Sequence, residues 1–80
     1  MTKKDLVLDC LIDDAECFTQ IKEFFDYCNV KISSAELYTL LDEMISEGLL
    51  FINTQWMNEK NEYPFALTAL GKLRWKDIKE

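Results

Sequence analysis

Three thiols are the only soft nucleophiles in the sequence: Cys10, Cys17 and Cys28. They lie seven and eleven residues apart. No pair has the two-residue spacing of a zinc knuckle or a redox couple. There is no histidine to complete a metal site or to act as a base near neutral pH. The thiols are therefore expected to be buried small hydrophobes, with no metal and no cofactor. The 15 acidic residues supply many carboxylates, but no motif pairs two of them in a pocket. The only glycines are Gly48 and Gly71, so no Gly-rich loop cradles a phosphate. Together these features point away from an enzyme. What remains is the chemistry of recognition: hydroxyls, charges and aromatic rings.

Those groups must be positioned by a small fold. Eighty residues with 49% hydrophobic side chains, 2 Gly and 1 Pro suit one mostly helical domain over 1–80. No apolar run approaches the ~20 residues that cross a bilayer. Asp9, Asp13 and Asp14 interrupt the stretch that a signal peptide would need. A cytoplasmic protein without membrane contact is expected.

The apolar spacing predicts three helices first. Val7, Leu8, Leu11 and Ile12 share a face in a segment from Lys3 to Asp13, with a capping box from Thr2 to Asp5. Ile21, Phe24, Phe25 and Cys28 mark a second helix from about Thr19 to Cys28. Phe18 falls either at its start or in a short strand, Cys17-Phe18-Thr19, and Asn29 suits its stop. Ser33 and Glu36 form a capping box for a third helix, about Ser34 to Glu47. Its stripe is Leu37, Leu40, Leu41, Met44 and Ile45, and Gly48 closes it. The period then changes. Residues 49–56 and 63–67 predict two strands around the polar turn Asn58-Glu59-Lys60-Asn61. Pro64 predicts a short edge strand. Thr68 predicts the cap of a last helix from Ala69 to about Lys79, with Leu70, Leu73, Ile78 and Trp75 inward.

This order is the layout of an α+β, mainly α, winged helix-turn-helix with a three-helix core, a β-hairpin wing and a short C-terminal helix, and pattern alone leaves other small α+β folds open. Residues 32–50, with a Ser-led cap, Leu37-Tyr38, the Leu-x-x-Met stripe and Gly48-Leu49-Leu50, resemble the PadR-like winged-helix transcriptional regulators. Tyr63, Leu67-Thr68 and Gly71 are similar to that family's Y-x-x-x-L-T-x-x-G. The broader MarR-like winged helices share much of this pattern. The resemblance implies a small regulator that binds duplex DNA with its third helix and its wing.

Charge opposes that implication. DNA affinity rests largely on Lys and Arg. Residues 1–47 carry a charge of −7 and residues 48–80 a charge of +1. No Lys or Arg lies between Lys31 and Lys60, and the third helix holds Glu36, Asp42, Glu43 and Glu47. The acidic helix disfavours DNA at long range. If DNA is read, Ser34, Ala35, Tyr38, Thr39 and Asp42 face outward. Ser34, Tyr38 and Thr39 could donate hydrogen bonds, with Lys31, Lys60 and Asn61 beside them. Alternatively, Tyr38 packs over the wing and Ser34 only shapes the helix start.

A second reading is a winged-helix protein-interaction module that leaves DNA alone, using the acidic third helix or Trp56 and Met57. Those two residues either fold back onto Tyr63 and Phe65 or mark a protein contact. Lys72, Arg74, Lys76 and Lys79 form a basic cluster. It is either a solvated face or a contact for an acidic partner or a second copy.

Overall fold

A computed structural model describes residues 1–79. Thr2 starts α1 (Lys3–Leu11) with a reciprocal box. The Asp5 amide donates to Thr2 Oγ1 at 3.1 Å, and the Thr2 amide donates to the Asp5 carboxylate at 3.0 Å. The helix stops at Leu11, two residues short of the expected end, before the Asp13-Asp14 pair. Its buried residues are Leu6, Val7, Leu8 and Leu11.

Helix α2 (Phe18–Tyr27) begins one residue earlier than expected. Cys17 is its cap, and the Cys17 amide donates to Gln20 Oε1 at 2.8 Å. Phe18 is thus in the first turn, and the extended residue is Glu16. Asn29 stops α2 in the left-handed region, at φ 59°. There the Val30 amide donates to the Phe25 carbonyl and the Asn29 amide to that of Asp26. These two bonds satisfy carbonyls that the helix end leaves free. Helix α3 (Ser34–Ser46) ends the same way at Gly48, φ 77°. Only half of its expected capping box forms. Ser33 Oγ accepts from the Glu36 amide at 3.0 Å, but the Glu36 carboxylate turns to Lys3 instead.

The wing is shorter than the apolar pattern implied. Strand β1 (Leu50–Ile52) pairs antiparallel with β2 (Phe65–Leu67), Phe51 opposite Ala66. Pro64 lies just outside β2. That strand is not a free edge either. Glu16 bridges Phe65 from the other side through two backbone bonds of 3.1 and 2.8 Å.

Helix α4 (Ala69–Lys79) is capped by Thr68, whose Oγ1 accepts from the Gly71 amide at 3.0 Å. Gly71 is buried against the start of the wing. A Cβ there would run into the Leu49 carbonyl oxygen and lie 3.4 Å from Leu67 Cβ. Two expectations for α4 fail: Leu70 and Leu73 are exposed, at 47% and 59%. The helix instead packs on α1 and β2 through Gly71, Trp75 and Ile78. Trp75 Nε1 donates to Asp9 Oδ1 at 3.1 Å, which fixes its rotation.

The core is apolar throughout the described residues. Val7, Leu8, Ile21, Phe25, Leu37, Leu41, Met44 and Leu50 are its fully enclosed side chains. Helices α1, α2 and α3 each contribute a buried stripe, and α4 adds the partly buried Trp75 and Ile78. Of the three thiols, Cys17 is buried, Cys10 half-buried and Cys28 exposed. Cys28 therefore departs from the expected burial, because it sits at the end of α2 where the chain turns outward. Burial pushes the Cys10 thiol up to about 12, reinforced by Glu16 and Asp9. Burial also raises Cys17, with Glu62 and Glu16 adding to it. Both remain protonated at neutral pH, as small apolar groups do.

Candidate nucleic-acid interface

Helix α3 buries Leu37, Leu41 and Met44 and turns its other side outward. Ser34, Ala35, Tyr38, Thr39, Asp42 and Ser46 are exposed there. The helical repeat sorts this surface into strips. Ala35, Thr39, Asp42 and Ser46 run along the crest. Ser34 and Tyr38 lie toward α2 and the wing. Glu36, Glu43 and Glu47 lie toward α1.

Two lysines of α1 offset most of the charge of the three acids on this strip. Lys3 pairs with Glu36, and Lys4 lies 3.5 Å from Glu43 and 3.1 Å from Glu47. The hydrogen bond to Glu47 leads in raising the Lys4 pKa, so its charge is secure. These partners are 33 to 43 residues apart in sequence, and no local spacing rule links them. Asp42 is the acid of α3 with no ion pair or hydrogen bond among the described residues.

On the other strip, Tyr38 stacks on Phe18, with centroids 3.9 Å apart and planes 10° from parallel. Tyr38 is still 53% exposed. It borders a shallow depression with Phe18, Ile52, Asn61 and Tyr63. The structure thus brings Tyr38 and Asn61 together across the seam between α3 and the wing. Thr39 differs from what its residue type suggests. Its hydroxyl donates to the Ala35 carbonyl at 3.1 Å. That leaves a methyl group and an acceptor lone pair, not a donor.

The wing loop is built around Asn58. Its Oδ1 accepts from the amides of Lys60 and Glu62 at 3.0 and 2.8 Å, and its Nδ2 donates to Glu62 Oε1. Glu62 Oε2 also accepts from Thr19 Oγ1 at 3.0 Å, which ties the loop to α2. Asn61 takes the left-handed conformation, φ 61°. Lys60 is exposed at the turn, and Lys31 is exposed just before α3. Neither pairs with a carboxylate among the described residues. The sequence pattern places Asn58 only in a polar turn and gives Glu62 no role in it. An Asn that bonds the backbone two residues on is a known turn device, so that signal was present.

No protein-family model and no curated protein sequence matches the chain. Solved structures do superpose on it. A PadR family transcription regulator from Clostridium difficile has a TM-score of 0.82 at 18% identity, covering 96% of this chain and 82% of its own. RosR from H. salinarum has a TM-score of 0.82 at 22% identity, covering 99% and 70%. Bacillus subtilis PadR in complex with operator DNA has a TM-score of 0.78 at 21% identity, covering 95% and 46%. The chain has the PadR-type winged-helix fold. The PadR-type fold also explains the Y-x-x-x-L-T-x-x-G pattern physically. Leu67 enters the core, Thr68 caps α4, and Gly71 lets α4 approach the Leu49 carbonyl.

The other candidate residues lie elsewhere on this PadR-type fold. Trp56 and Met57 are 56% and 42% exposed and border a depression with Thr19, Gln20 and Glu23 of α2. Lys72, Arg74 and Lys76 are exposed on α4, which packs on α1 and β2. Among the described residues they join no ion pair. No helix among the described residues is long and apolar enough to cross a membrane.

Proposed function

We propose that the protein is a small winged-helix transcriptional regulator that binds duplex DNA. In this reading α3 enters the major groove, with Ser34, Tyr38 and Thr39 on its contact surface. Lys31 approaches the phosphates beside it, and Lys60 with Asn61 extends from the wing. One observation carries the reading most: the acids of α3 that lie toward α1 are each paired with a lysine of α1. The acids of the third helix that face α1 are thus screened by Lys3 and Lys4, which leaves Asp42 as the carboxylate on its crest with no ion pair among the described residues. The likeness to operator-bound PadR supports the same docking. Such a regulator works in the cytoplasm and performs no catalysis.

The test is fluorescence anisotropy on duplexes from the region upstream of its own gene. Binding is expected at low salt and should weaken as salt rises. Lys60→Ala should reduce the slope of log K against log salt by about 1 for each bound chain. No binding to any duplex at low salt would overturn the proposal. A second reading, contact with a protein through the wing, is favoured by the exposure of Trp56 and Met57. In that case Trp56→Ala would abolish a complex with a protein partner, and the wild type would bind no duplex.

A further inference from the structure

The crest of α3 has an unusual donor and acceptor inventory for a helix that reads bases. It carries Ala35, Thr39, Asp42 and Ser46, all exposed. It has no Arg or Lys, the residues that grip guanine O6 and N7. It has no Asn or Gln, the residues that grip adenine N6 and N7. Two of the four offer methyl groups: Ala35 by type, and Thr39 because its hydroxyl hydrogen is committed to the Ala35 carbonyl. Asp42 offers an acceptor that is unengaged among the described residues.

Resting on the DNA-binding reading above, we infer that α3 selects a short pyrimidine-marked element. Ala35 and Thr39 contact thymine 5-methyl groups, and the Asp42 carboxylate accepts from a cytosine N4 amino group. The chemistry decides each assignment. A methyl group against the groove floor gains only where the base offers an apolar surface, and thymine alone does. A carboxylate facing guanine O6 and N7, or thymine O4, sets acceptor against acceptor. Cytosine presents its N4 donor with no acceptor beside it, whereas the adenine N6 donor stands next to the N7 acceptor, which repels the carboxylate. Asp42 thus acts mainly by exclusion, since an unpaired charge in the groove disfavours the wrong bases. Seven residues of helix separate Ala35 from Asp42, a rise of about 10 Å. At about 3.4 Å per base step, the three contacts fit within about four consecutive base pairs.

The experiment has two arms on the intact protein. A random duplex pool is first selected at low salt, and the enriched element is read out. In the first arm each thymine of that element is replaced by deoxyuridine, which removes only the 5-methyl group. Two of these positions should each lose about threefold to fourfold in affinity. In the second arm Asp42→Asn is measured on elements carrying C or A at the marked position. The wild type should prefer C by about fivefold to a hundredfold, and the variant should prefer A. Asp42 is exposed and unpaired, so the variant keeps the fold, which circular dichroism verifies. Selective binding that ignores deoxyuridine and keeps its base preference in the variant would overturn this code alone. Absence of any binding from the pool would instead remove the DNA-binding reading, and this inference with it.

Discussion

Gly71 shows how one residue sets the distance between two elements. The α4 backbone passes so close to Leu49 that a methyl group at Gly71 meets a carbonyl oxygen. Two effects compete when alanine replaces it. Alanine favours the helix by about 1 kcal/mol. The clash is with the backbone, which cannot rotate away, and costs about 1–3 kcal/mol or more. The clash should win, because the Thr68 amide donates to the same Leu49 carbonyl at 3.1 Å and holds it in place. Gly71→Ala is expected to lower Tm, at about 4–8 °C for each kcal/mol lost in a domain of this size. A thermal melt with Tm unchanged or raised would show that α4 can retreat from the wing.

At the scale of elements, the contact between α1 and α3 governs the reading surface. The ion pairs of Lys3 and Lys4 are exposed and contribute little to folding. Their effect is on the field around α3. Replacing both lysines with alanine uncovers Glu36, Glu43 and Glu47. At about 10 Å in water each bare carboxylate repels a phosphate by about 0.4 kcal/mol, which is about twofold in affinity. The double variant should therefore bind duplex DNA several-fold more weakly at low salt with an unchanged circular dichroism spectrum. Equal affinities would show that the pairs are incidental. These pairs also mark where the sequence stops being informative. Caps, stripes and stops are local, so Thr2, Ser33, Asn29 and Gly48 could be read directly from spacing. The destination of the Glu36 side chain depends on a lysine 33 residues away. The stacking of Tyr38 on Phe18 depends on how α2 and α3 cross. The wing is shorter than the pattern implies because Thr54, Trp56 and Tyr63 are β-favouring in type yet lie outside both strands. Leu70 and Leu73 follow a helical stripe that the protein leaves outside its own core.

For the whole molecule, that uncovered stripe and the charge layout belong together. Leu70 and Leu73 stand on α4 among Lys72, Arg74 and Lys76, while the first 47 residues carry a charge of −7. A second copy offers both apolar surface and opposite charge to this helix. If the basic cluster is a contact for a second copy, self-association runs through α4, and sedimentation velocity measures it. Leu73→Glu should weaken it by about tenfold, since a carboxylate would be taken from water without a partner. Tm of the dilute protein should not change, because Leu73 is outside the core. A wild type that stays monomeric at high concentration would exclude this assembly.

The crest of α3 without a cation has a kinetic consequence. Proteins that slide along DNA are held there by attraction to phosphates, which does not depend on sequence. In the proposed DNA-bound arrangement, attraction would come from Lys31 and Lys60 at the margins, and the crest, which holds no Lys or Arg, would add none. A chain built in this way leaves unrelated duplex quickly. Under the proposed DNA-binding reading it would reach its target by repeated encounters from solution rather than by long one-dimensional scanning. Its occupancy in a cell would then follow its concentration closely, with little protein stored on the rest of the chromosome.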